Sequence, residues 1–158
     1  MTKGYEPMGN ELSMQLGDKI DILCASVGTG VALMEAWKGL RKAVPKIELV
    51  AFEPLQSPLL TTGKGGSHQV EGIGVGFKSP FLGQSVLTEI RAIDQEKAFV
   101  MCRQLANEEG VFCGASTGLN VVGAIELAKE IGPGKRVVTF ACDSGLKYLG
   151  TNVYLKKN

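Results

Sequence analysis

The chain has 158 residues, a formal net charge of +1, 44% hydrophobic and 21% charged residues. That is enough for one ordinary domain with its own core, and the near-neutral balance gives no electrostatic reason to expect nucleic acid or an acidic membrane surface as a partner. No apolar run approaches the roughly 20 residues a bilayer-spanning helix needs, and the opening MTKGYEPMGN does not read as a signal peptide.

Residues 6–16 predict a short helix with Leu12 and Leu16 on one face. Residues 20–25 form an apolar run broken only by Asp21, which predicts a strand. A glycine turn follows, Ser26-Val27-Gly28-Thr29-Gly30, and then helical spacing in Val31, Met34, Ala36, Trp37 and Leu40, closed by Pro45. Strand, glycine turn and helix in this order aim bare backbone N–H groups and the positive end of a helix dipole at one spot, where a phosphate or carboxylate is held well. An anion cradle is therefore expected at Gly28, Thr29, Gly30, Val31 and Ala32. Residues 47–52 are almost continuously apolar, the mark of a strand buried on both faces. Strand, helix and strand within this span fit a right-handed crossover.

From 53 to 83 periodicity fails, and Gly72, Gly74 and Gly76 alternate around Ile73 and Val75. An irregular stretch this long with interspersed apolar residues reads as a functional loop. Residues 89–93 predict a strand, and Asp94 caps a helix reaching about residue 109 with Ala98, Met101, Cys102, Leu105 and Ala106 inward. Gly110 stops it. A brief strand at 111–113, a second small-residue turn at 114–118 and a helix at 119–131 follow. That helix offers Val121, Val122, Ile125, Leu127 and Ala128 to the core, and Gly132-Pro133-Gly134 ends it. Residues 137–142 predict a final strand, then a turn at Asp143-Ser144-Gly145 and a helical turn at 146–149.

The alternation of strands and helices predicts an α/β fold, a single domain over 1–158 with a parallel or mostly parallel sheet covered by helices on both faces in three layers. The four cysteines, Cys24, Cys102, Cys113 and Cys142, include no CxxC pair. With one histidine, His68, in the chain, they read as buried thiols of a cytoplasmic protein, and no metal site is expected. His68 itself reads as a surface loop residue.

In such a sheet the loops after the strand C-termini gather at one edge. Here these are residues 26–32, 114–118 and 142–145, all small and hydroxyl-rich. Any one alone is an ordinary tight turn; together, beside a long glycine loop, they predict a pocket for a phosphorylated small molecule. Gly28-Thr29-Gly30 followed by Leu33 gives GxGxxL, one glycine short of a dinucleotide fingerprint. Glu53 nevertheless ends the second strand, where an acidic residue would hold a ribose, so an NAD-binding domain is an alternative. A P-loop is excluded by the lack of a GK[ST] ending.

SVGTG after an apolar strand, EPxxSPLL, GxHQVEGIGVGF, EEGVFCGASTG and DSGLKYL, in that order, resemble the cysteine synthase and cystathionine β-synthase group of fold-type II pyridoxal-phosphate enzymes. The five ordered motifs span nearly the whole chain and correspond to the C-terminal half of such an enzyme, with the N-terminal half absent. The resemblance implies pyridoxal 5'-phosphate as cofactor. Gly28, Thr29 and Gly30 would match the loop holding its phosphate, with Val31 and Ala32 completing that loop. Ser116, or Thr117 beside it, would match the hydroxyl on the pyridine nitrogen. Gly72, Ile73 and Gly74 would match the loop that closes over the substrate. A neutral hydroxyl at the ring nitrogen suits elimination of a β-substituent.

Two departures stand out. Family loops usually read GTGGT, whereas Val31 adds bulk and Ala32 removes a hydroxyl, a loss of about 1–3 kcal/mol in phosphate contact. The Schiff-base lysine of the family lies in the N-terminal half, and neither Lys64 nor Lys147 has its context, so no catalytic residue is assigned. The resemblance implies β-replacement on O-acetylserine or a related β-substituted amino acid to give cysteine, inactive in this chain alone. Expected partners are a small-molecule amino-acid substrate, a second copy in a homodimer or a split-enzyme partner, and the C-terminal peptide of a serine acetyltransferase. A non-catalytic module for a phosphorylated metabolite or peptide is the alternative from another class. The uncovered half should leave apolar surface exposed and promote self-association.

Overall fold

The computed structural model describes residues 3–155. Helix α1 (Glu6–Leu16) leads into strand β1 (Ile22–Ser26), and helix α2 (Val31–Leu40) carries the chain back to strand β2 (Glu48–Pro54). A long irregular stretch, holding the short helix α3 (Leu59–Thr62) and a 3-10 turn at Gln84–Val86, reaches strand β3 (Glu89–Ile93). Helices α4 (Gln95–Glu108) and α5 (Ala115–Ile131) follow, then strand β4 (Val137–Val138) and a 3-10 turn at Gly145–Tyr148. The strands pair in the order β3-β2-β1-β4, every pair parallel.

The two central strands explain the three layers. Ile22, Cys24, Val50 and Phe52 pack on one face with Ala98, Phe99 and Cys102 of α4 and Leu119, Val122 and Leu127 of α5. Leu23, Ala25, Leu49 and Ala51 face the other way, against Leu33, Ala36 and Leu40 of α2, with Met8, Leu12 and Leu16 of α1 behind them. Successive side chains point to opposite faces and both faces are covered, which is why the strands read as unbroken apolar runs. The α/β class, the parallel sheet and the helices on both faces are as the sequence led us to expect.

Four local expectations are corrected. The segment 114–118 is not a turn: only Gly114 lies outside α5, which begins at Ala115. No β-branched residue precedes Thr117 there, and Ser116 and Thr117 take the second and third helical positions. Of the residues expected inward, Val122 and Leu127 are buried, but Ile125 is 38% exposed and Ala128 is exposed, while Asn120 and Gly123 turn inward. The predicted strand at 111–113 reduces to one antiparallel bridge, Cys113 to Ser144. The predicted strand at 137–142 pairs with β1 only through Val137 and Val138, after which side chains take over the ladder's bonds. The long loop is anchored by its own apolar residues: Val70 and Ile73 enter one core and Leu82 the other.

Candidate functional site

The connection β1 to α2 runs on one face of the sheet, and the chain reaches β4 through α5 on the other. Beyond the C-terminal end of β1 the two connections diverge, the place where open parallel sheets bind ligands. A cavity of about 350 Å³ opens there, lined by Ser26, the turn 27–33, Gly72, Ile73, Ser116 and Asp143 among others.

Its floor is the start of α2. Gly30 caps the helix with φ +78°, and a Cβ there would stand 2.8 Å from Leu82 Cδ1. Glycine is required both by the left-handed backbone and by the neighbour. The first bond closing the helix runs from Met34 N–H to Gly30 O at 3.0 Å, so the N–H groups of Val31, Ala32 and Leu33 have no intrahelical acceptor. They add to the positive end of the α2 dipole at the cavity. Gly28 lets the Gly72 segment approach: a Cβ on it would meet Gly72 O at 2.6 Å. Gly74 N–H donates to Val27 O at 3.1 Å, which fixes that contact.

The opposite wall is the start of α5. Ser116 is buried and borders the cavity, and among the described residues no hydrogen bond engages its Oγ. Thr117 is also buried, but its Oγ1 accepts from Cys142 N–H at 2.9 Å. The two hydroxyls that the sequence left as alternatives thus have different surroundings, one open to the cavity and one committed to the fold. Ser26 Oγ is buried without a partner, an acceptor or donor left over at the cavity's edge.

Every residue expected to hold phosphate, Gly28 to Ala32, lines this cavity, as do Gly72, Ile73 and Ser116. Gly74 and Thr117 do not. Val31 also borders a neighbouring depression with Met34, Pro80 and Phe81. Asp143 lines the cavity, while Ser144 caps the last turn by accepting from Leu146 N–H at 3.3 Å. Asp143 Oδ2 accepts from Lys147 Nζ and from Tyr148 Oη, both at 3.0 Å, and its Oδ1 is buried without a partner. Burial and the Asp143 carboxylate both push the Tyr148 hydroxyl pKa up. Lys147 borders the cavity with its side chain 67% exposed, and Lys64 is an exposed loop residue.

Glu53, the residue behind the NAD alternative, is turned away from any ribose role. It is buried, its Oε2 accepts from Leu60 N–H at 2.7 Å, and its Oε1 accepts from Thr61 N–H and Oγ1 at 2.8 and 2.7 Å. The carboxylate is consumed in tying down α3. Cys24, Cys102 and Cys113 are buried, and burial pushes the Cys24 and Cys102 thiols up to about 12; Cys142 is exposed and borders the cavity. Among the described residues no group of three or more His, Cys, Asp or Glu could hold a metal, and no helix is long and apolar enough to cross a membrane.

Sequence reasoning missed two residues. His68 is half-buried: its Nδ1 accepts from Val70 N–H at 3.3 Å and its Nε2 faces Gly74 O at 3.2 Å, so it pins the glycine loop. Asn120 is fully buried beneath the cavity. Its spacing from Ser116 (i, i+4) was the available signal, since a polar residue there shares the helix face turned toward the sheet once α5 starts at residue 115.

A parallel α/β sheet here brings two helix starts, free amides and an open hydroxyl around one cavity, an arrangement suited to an anionic ligand. A profile of the pyridoxal-phosphate dependent enzyme family matches residues 1–143, and the chain belongs to that family. A cysteine synthase of Staphylococcus aureus is 42% identical over 147 residues, 92% of this chain and 47% of the relative. Cysteine synthase B of Campylobacter jejuni is 35% identical over 144 residues, 91% of this chain and 48% of the relative. Among solved structures, O-acetylserine sulfhydrylase isoform 3 of Entamoeba histolytica superposes with TM-score 0.93 at 28% identity, over 99% of this chain and 47% of that one. An O-acetylserine dependent cystathionine β-synthase of Helicobacter pylori gives TM-score 0.91 at 30% identity, over 98% and 50%. The chain spans about half the length of the relatives it matches. The family match agrees with pyridoxal phosphate as the cofactor.

Proposed function

We propose that this chain is the cofactor-holding half of a cysteine synthase-like enzyme, which replaces the β-substituent of O-acetylserine or a related amino acid to give cysteine once a second half supplies the Schiff-base lysine. The observation that carries this reading is the meeting of the 28–32 turn, Ser116 and the Gly72–Ile73 backbone around one cavity.

The residues present fit the cofactor. The unpaired N–H groups at the start of α2 and the Thr29 side chain would take the phosphate, with the helix dipole favouring its charge. The Ser116 hydroxyl would meet the ring nitrogen, a neutral partner that leaves that nitrogen largely unprotonated. When bound, pyridoxal phosphate supplies an electron sink for negative charge at an amino acid's α-carbon. Gly72 and Ile73, held against Gly28, would border the substrate and limit water at the reacting face. No described lysine is both free and inside the cavity; Lys147 sits at its rim, paired with Asp143. The proton from the α-carbon therefore lacks a positioned base here, and the chain alone is expected to be inactive.

Exposed apolar side chains fit a missing cover: Val75, Phe77 and Phe81 in the glycine loop, and Phe112, Leu146 and Leu149 near the start of α5. A complementing half, or a second copy in a homodimer, would bury them; the acetyltransferase peptide would need that completed cleft.

The test is to titrate the purified chain with pyridoxal phosphate, record the visible spectrum, reduce with borohydride and locate any modified lysine by mass spectrometry. Saturable binding without a stoichiometric lysine adduct and without cysteine formation is expected. One specific adduct with turnover, lost in Lys147→Ala, would overturn the claim that the reactive lysine comes from elsewhere.

A further inference from the structure

Strands β1 and β4 begin as an ordinary parallel pair at Ile22–Val137 and Leu23–Val138 and then separate. Past that point their groups are held by side chains. Thr139 Oγ1 donates to Cys24 O at 2.8 Å. Two residues on along β1, Ser26 N–H donates to Asn120 Oδ1 at 2.6 Å, and Asn120 Nδ2 donates to Phe140 O, next to Thr139, at 2.9 Å. Thr117 Oγ1 then takes Cys142 N–H at 2.9 Å. The cavity lies beyond these bonds, between Ser26 and Cys142, with Ser116 on its far wall.

Asn120 is the member of this series that touches both sides. Its carboxamide spans the gap between the end of β1 and the 140–142 segment, and its backbone belongs to α5, one turn after Ser116. It is 0% exposed, and its oxygen and nitrogen are both engaged, so its rotamer is fixed. An alanine or leucine there would offer neither the acceptor for Ser26 N–H nor the donor for Phe140 O.

We infer that Asn120 is a positioning residue of the cofactor site: by bonding Ser26 N–H and Phe140 O together it sets the distance between the anion-binding turn on α2 and the Ser116 hydroxyl on α5. The inference rests on the cofactor reading above. It makes a specific demand on ligands. A ligand that uses only the turn does not sense that distance, whereas one that reaches from the turn to Ser116 does.

Inorganic phosphate and 4-deoxypyridoxine 5'-phosphate provide the two cases, and the latter cannot form a linkage to lysine. Both are titrated by phosphorus NMR and equilibrium dialysis into the full chain and into Asn120→Ala, Asn120→Asp and Thr139→Val, with thermal unfolding of each followed in parallel. Asn120→Ala is expected to weaken the pyridine ligand by roughly tenfold, the scale of a lost buried hydrogen bond, while phosphate affinity changes less than about twofold. Asn120→Asp is close in shape and keeps the Ser26 acceptor but sets an oxygen against Phe140 O, so it should show the same selective loss if the alanine variant does not fold. Thr139→Val removes a bond of the same series farther from the cavity and should lower the unfolding temperature without separating the two ligands. An equal loss for both ligands, or no loss, in folded Asn120 variants overturns the inference alone. A wild-type chain that binds neither ligand overturns the cofactor reading and the inference with it.

Discussion

Gly9 of α1 and Gly39 of α2 lie where the two helices cross, each against the other helix's backbone. A Cβ on Gly9 would stand 2.0 Å from Ala36 O, and one on Gly39 would stand 2.3 Å from Glu6 O. Glycine inside a helix ordinarily costs about 0.5–1 kcal/mol relative to alanine, so Gly9→Ala would be stabilising on propensity alone. Here overpacking against backbone decides the sign, with a cost of about 1–3 kcal/mol. Gly9→Ala is expected to lower stability in urea unfolding, and a variant as stable as the parent would contradict the close crossing.

Glu53 and α3 give a second outcome. Replacing the carboxylate by the amide in Glu53→Gln turns an NH2 group toward donors that now meet oxygen. The buried mismatch should cost about 1–3 kcal/mol and accelerate amide exchange in Leu59–Thr62 before the rest of the domain. A selective effect on NAD binding, with unchanged stability, would instead restore the dinucleotide reading.

Ser116 and Thr117 should behave as opposites. Ser116→Ala removes a hydroxyl with no protein partner and is expected to weaken pyridoxal phosphate by roughly tenfold while the unfolding temperature stays near that of the parent. Thr117→Val strips the acceptor from Cys142 N–H and should lower stability by about 1 kcal/mol. Reversed phenotypes in dialysis and thermal unfolding would exchange their roles.

His68 should matter through the glycine loop. His68→Ala leaves Val70 N–H and Gly74 O without their side-chain partner. Faster hydrogen exchange confined to residues 70–76 is expected, with β1 and β2 unchanged. Uniform exchange across the loop and the sheet would show that the ring does not hold this segment.

Asp21 ties the start of β4 to β1. Its Oδ2 accepts from Arg136 N–H at 2.8 Å and its Oδ1 from Lys135 Nζ at 2.9 Å, and these hold its pKa below the ordinary 3.8. A carboxyl whose folded pKa is depressed adds stability above its unfolded value, and that increment disappears as pH falls through the folded value. Acid unfolding curves of the parent and Asp21→Asn should therefore diverge above pH 3.8 and converge below it; parallel curves over the whole range would remove Asp21 from the account.

How much of this was readable depends on where each signal is written. Asp94 and the apolar stripe of α4 carry their own helix start, and Asp94 Oδ1 does accept from Glu96 N–H at 3.1 Å. The 28–32 turn is legible for the same reason, since glycines mark it locally. The start of α5 is not: Ser116 and Thr117 have no strong helical preference and stand between two glycines, and packing of Gly118 against Ala98 O, where a Cβ would stand 2.2 Å away, is a long-range fact. The length of β4 was overestimated because an apolar run does not say whether its hydrogen bonds go to a strand or to side chains such as Asn120.

The all-parallel order β3-β2-β1-β4 also bears on how the site assembles. No two neighbouring strands are joined by a hairpin, so each pairing waits for a crossover to close, which slows folding. Helices α4 and α5, close in sequence and packed together, need no such closure and can form first. The Ser116 wall could then form before the turn on α2 docks. A phosphorylated ligand present during refolding of the full chain would meet half a binding surface until β1 docks, so it should retard unfolding more than it accelerates folding.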